Sequence, residues 1–81
     1  MDWVIKLEVL QDYIYDTYGR YFRYFIKNNI DFDDTSNPLV RNLKILNDML
    51  YNRWKSCETD EDISEMKKRV DEPDKYFRDH T

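Results

Sequence analysis

The sequence predicts an all-α fold: a long N-terminal helix, an antiparallel second helix and a shorter third. They form a three-helix bundle, or a helical hairpin that completes its core by dimerising. Three observations predict it. Apolar residues recur at three- and four-residue steps in three segments, with no strand-like alternation. Two clusters of turn residues, DFDDTSNP and ETDEDIS, separate those segments. The first of these linkers is short, which makes the helices on either side antiparallel neighbours.

The first helix is expected over residues 2–29, with Asp2 as its N-cap. At about 100° per residue, Trp3, Leu7, Leu10, Ile14, Tyr18, Tyr21 and Phe25 gather on one side. Val4, Tyr15 and Phe22 fall on the flank of that side and are assigned to the same broad stripe. Arg20, Arg23 and Lys27 lie opposite, with Asp16 placed to pair with Arg20 one turn on. The run YGRYFRYFIK therefore reads as a core stripe with a solvated basic back. A base-stacking surface would need the rings and the cations on one side. Gly19 marks either a close approach by a neighbouring helix or a kink.

The second helix is expected over residues 38–57. Asn37 followed by Pro38 is an N-cap and a proline at the first helical position. Leu39, Leu43, Leu46, Leu50, Trp54 and Cys57 form its packing stripe. Thr59 and Asp62 then make a capping box for a third helix over residues 60–71, carrying Ile63, Met66 and Val70. Pro73 is expected to end or kink it. A short last turn over residues 73–78 brings Tyr76 and Phe77 back onto the body.

Eighty-one residues allow one domain, residues 1–81, and a small stability margin. The single cysteine, Cys57, suggests a reducing compartment. The N-terminal residues lack a basic signal-peptide region, and no stretch is long and apolar enough to span a membrane. A cytoplasmic protein is expected. The absence of alanine, together with abundant Asn, Asp, Lys, Ile and Tyr, hints at an AT-rich genome such as that of a phage.

The formal net charge is −4 and the pI about 4.9. Residues 38–57 carry four bases against one acid, and residues 58–81 nine acids against five bases. An acidic chain argues against phosphate-backbone binding. It favours an acidic C-terminal third that steers a basic partner, through Asp60, Glu61, Asp62, Asp71, Glu72 and Asp74.

The sequence argues against enzymatic chemistry. His80 sits in a tail that holds a general base poorly. Cys57 ends an apolar stripe, the ordinary place for a small buried hydrophobe. There is no phosphate-binding loop and no set of zinc ligands. The stretch DFDDTSNPLVRN opens like a calcium loop, then puts Ser36 at the turn glycine and Asn42 at the bidentate Glu. No cofactor or metal is expected.

One feature exceeds what the fold requires. Ile5, Val9 and Tyr13 line the side of the first helix opposite the main stripe, so its N-terminal half is apolar on two sides. Either the C-terminal segment covers that face or another chain does, a second copy or a foreign protein. Tyr24, Ile45 and Trp3 extend the patch. The leading expectation is a small non-enzymatic inhibitor or modulator, of phage type, that occupies a site on a host protein. Ile5, Val9, Tyr13 and Tyr24 would bind the partner, and a homodimer is the other form of protein contact. The alternatives are a nucleic-acid-binding regulator using Arg41, Lys44 and Lys55, or an acidic nucleic-acid mimic.

Overall fold

The computed structural model describes residues 2–81. It is all-α, with three helices and no strand among the described residues. Helix α1 spans Trp3–Lys27, α2 spans Pro38–Asp48 and α3 spans Asp60–His80. Helix α2 continues through a π-helical turn, Met49–Arg53, and a 3₁₀ turn, Trp54–Ser56. The body is a rod of 41 × 18 × 17 Å.

Local chemistry sets most of the boundaries. The Asp2 carboxylate accepts from the Val4 N–H, and the Asn37 side chain from the Leu39 N–H ahead of Pro38. Thr59 and Asp62 form the reciprocal capping box. Asp60, Glu61 and Asp62 lie in the first turn of α3 and Arg78 in its last, each complementing the helix dipole.

Helix α1 stops at Lys27, two residues before the sequence expectation. Asn29 takes a left-handed conformation, φ 52°. The Asn29 N–H bonds back to the Ile26 carbonyl, and the Ile30 N–H to the Phe25 carbonyl. This is a Schellman end with asparagine where glycine is usual, and Ile30 packs on the core beyond it. The one glycine, Gly19, sits mid-helix instead. A β-carbon there would meet only the Arg23 guanidinium, at 3.3 Å, and no neighbouring helix. The expected close approach is absent, and α1 runs through Gly19 unbroken.

The core closes within one chain, so no second copy is needed to complete it. Leu10, Ile14, Tyr21 and Phe25 of α1 are fully buried against Val40, Leu43, Leu46 and Leu50 on one side. Met66, Val70 and Phe77 of α3 meet them on the other.

Two further elements differ from the sequence reading. The third helix runs through Pro73 to His80 instead of stopping near residue 71. Proline disfavours a helix interior because it lacks an N–H and crowds the preceding turn. Here tertiary contacts outweigh that cost. Pro73 and Phe77 are buried, the Tyr21 hydroxyl donates to the Pro73 carbonyl at 2.5 Å, and the Phe77 ring lies 4.3 Å from that of Tyr21.

The second helix is not a uniform α-helix to Cys57. Counted at about 100° per residue from Leu43, an unbroken helix would bring Arg53 to about 80° from it, on the core side. The wider π turn advances less per residue, so Arg53 emerges at the surface instead.

Candidate protein-binding surface

Helix α1 is the longest element and packs on both other helices. Its third side faces solvent. There Ile5 is 48% and Val9 51% exposed, one turn apart on a helix whose other side is anchored in the core. Ile5 faces away from the core, and Val9 borders the first half of α3. That half presents Asp60, Ile63, Ser64 and Lys67, of which Ile63 alone is a large hydrophobe. Lys6, Val9, Asp60, Ile63 and Lys67 line a shallow groove of about 240 Å³ at this seam. Tyr76 and Phe77 do not reach it. Phe77 packs on Tyr21 and Tyr24, and Tyr76 stacks on His80 at 3.9 Å.

The other two expected anchors hold the bundle together. Tyr13, 38% exposed, donates its hydroxyl to the Asp71 carboxylate on α3 and has the Lys67 ammonium 5.6 Å from its ring centre. That hydrogen bond, with burial second, raises the Tyr13 phenol above its usual range. Tyr24 is half-buried, edge-on to Phe77 at 5.3 Å. Neither continues the Ile5–Val9 patch as a free surface.

The acidic set is also largely engaged inside the fold. Asp60 pairs with Lys6 at 2.8 Å. Asp62 caps α3, and the backbone N–H of Glu58 and then that of Thr59 hold its carboxyl below the usual range. Asp71 takes the Tyr13 hydroxyl. Asp74 is 9% exposed, with Arg20 at 2.9 Å and Arg78 at 3.6 Å. Arg20 thus reaches α3 rather than Asp16. Glu61 and Glu72 remain exposed and outside any ion pair among the described residues.

A second run of unpaired negative charge lies on α1. Glu8, Asp12 and Asp16 follow one another at four-residue steps along its outward side. All three are exposed, and none is in an ion pair among the described residues. Tyr15 flanks this ridge on one side and Val9 on the other, with Val4 and Ile5 at its N-terminal end. Further along, Phe22 and Ile26 continue the exposed apolar edge, beside the exposed Arg23 and Lys27. Phe22 meets Phe32 at 5.6 Å and Tyr18 at 6.2 Å.

Sequence reasoning missed the ridge and its aromatic edge because it gave Val4, Tyr15 and Phe22 to the core stripe. The available signal was angular. The buried residues Leu10, Ile14, Thr17, Tyr21 and Phe25 span only about 80°, and these three lie outside that arc.

The basic residues named for nucleic acid do not converge. Arg41 donates to the Thr35 and Ser36 carbonyls at the start of α2. Lys55 lies 5.9 Å from the Trp54 ring centre, and Lys44 lines a different groove. Cys57 is buried, and burial pushes its thiol above the usual range, away from a reactive thiolate. No group of His, Cys, Asp and Glu that could hold a metal occurs among the described residues. None of the described helices is long and apolar enough to cross a membrane.

Residues 3–79 match the family model described as bacterial epsilon antitoxin, and the chain belongs to that family. No curated protein and no solved structure matches it.

Proposed function

We propose that this chain inhibits a toxin protein by laying the outward side of α1 across the toxin's surface. The family match over residues 3–79 carries the reading, since an antitoxin is a non-enzymatic inhibitor that acts by binding its toxin. It narrows the expectation of a phage-type inhibitor of a host protein to a toxin as the partner. The surface supports α1 as the docking element. Ile5 and Val9 stand half-exposed on a helix held by a closed core, so little ordering is lost on binding. Val4 and Tyr15 widen the apolar contact, and Tyr13 forms its rim beside α3.

Charge along α1 specifies the complementary surface. Its outward side is acidic over Glu8, Asp12 and Asp16 and basic over Arg23 and Lys27. A toxin that accepts this helix presents cations to the first stretch and anions to the second, with an apolar trough between. Such complementarity sets approach and register more than affinity.

The test is the double substitution Ile5→Glu with Val9→Glu. Both side chains are exposed, so the helical spectrum and melting midpoint should be preserved. Affinity for the cognate toxin, measured by calorimetry, should fall at least about 100-fold, the effect of removing two central apolar anchors. Protection of cells expressing the toxin should fall with it. Unchanged affinity in a folded double variant would remove α1 as the docking face.

A further inference from the structure

On the side of the bundle away from the α1 ridge, α2 and α3 enclose a groove of about 430 Å³. Lys44, Ile45, Asp48, Met49, Arg53 and Arg69 line it. Ile45 is 48% exposed and, with Met49, forms an apolar floor. Three cations surround that floor, from both helices, against one carboxylate. In a chain of net charge −4 this is a local inversion of sign.

The groove's one acid is already occupied. Asp48 accepts from Asn52 at 3.0 Å and from Arg53 at 2.7 Å, and these bonds hold its carboxyl below the usual range. Lys44 and Arg69 are in no ion pair among the described residues, although nine acids share residues 58–81 with Arg69.

The backbone independently marks the same place. The π-helical turn Met49–Arg53 contributes a floor residue from its first position and a rim cation from its last. Without it Arg53 would point at the core. Such turns are uncommon and recur at functional sites.

We propose that the α2–α3 groove receives an acidic peptide segment with a large apolar residue between its carboxylates. The apolar side chain lies on Ile45 and Met49, and the flanking carboxylates meet Lys44, Arg69 and the free edge of Arg53. The volume falls in the range of pockets that hold a few side chains. The guanidinium groups suit carboxylates, which they can grip by two parallel hydrogen bonds. This contact is separate from the proposed toxin-docking face, so the chain can hold both occupants at once.

The test titrates a fluorescein-labelled DELFEED peptide against the full chain and follows anisotropy. The controls are KKLFKKK, the anchor-less DEGSEED and an oligothymidylate. DELFEED should saturate at one site per chain and weaken with salt. Arg69→Glu, and separately Lys44→Glu, should each weaken it about tenfold. Ile5→Glu with Val9→Glu should leave it unmoved, so failure of the α1 reading and of this one are distinguishable. Absence of saturable binding, equal binding of KKLFKKK or DEGSEED, preference for oligothymidylate, or indifference to Arg69→Glu would each overturn the proposal.

Discussion

The two ends of α3 meet α1 in different ways. The first half offers Asp60, Ile63 and Lys67, and makes an exposed ion pair with Lys6. The second half inserts Val70, Pro73 and Phe77, sets Asp74 between Arg20 and Arg78, and takes the Tyr21 hydroxyl at a backbone carbonyl. One end of the rod is sealed and the other is ajar. Labour is thus divided along one helix pair. Stability concentrates where α3 is apolar, and exposed apolar surface survives where it is not. A small domain has little burial to spare, so leaving Ile5 and Val9 half-exposed is a cost that binding can recover.

The largest expected difference comes from altering each end in turn. Phe77→Ala at the sealed end should cost about 3 kcal/mol, the usual loss for a buried ring. Ile5→Glu with Val9→Glu at the open end should change stability by no more than about 0.5 kcal/mol. Urea unfolding of both variants checks the pair, and equal losses would abolish the distinction.

A smaller effect probes the sealed end through pH. Burial, with Asp74 nearby, pushes the Tyr21 phenol up to about 12 from 10.0. The folded state therefore favours the protonated ring. Its contribution is fully present below the ordinary tyrosine range and is lost as pH rises through about 12. Tyr21→Phe should cost about 1 kcal/mol at neutral pH, the worth of its hydrogen bond to the Pro73 carbonyl. It should also flatten the loss of stability above pH 10. Unfolding midpoints of both proteins across the alkaline range check this.

The smallest effect lies between the two ends. Gly19→Ala meets only the flexible tip of Arg23, so the gain in helix propensity should dominate. A stabilisation of about 0.5–1 kcal/mol is expected, read as a raised melting midpoint.

Much of the fold was legible because it is written locally. The Asn37–Pro38 start and the Thr59–Asp62 box each satisfy backbone donors within a few residues, so position alone reveals them. The features that were not legible depend on distant partners. Pro73 stops a helix in isolation and does not stop this one, because Tyr21 and Phe77 hold both sides of it. Asn29 ends α1 in a conformation that the sequence signals only weakly without glycine. The same division applies to the surface. Ile5 and Val9 were readable from angle alone. Tyr13, Tyr24 and the acids of α3 were not, since their roles depend on how α3 is rotated against α1. Asp74 shows it best, an apparent surface charge that the rotation turns inward.

The π-helical turn has a consequence beyond the groove it shapes. It winds the coil less tightly over Met49–Arg53, and the 3₁₀ turn Trp54–Ser56 then winds it more tightly, so Cys57 comes back to the buried side. The slack and its take-up lie side by side, so only the stretch between them is displaced. One side chain, Arg53, is thereby redirected to solvent while the end of the second helix keeps its seat on the core.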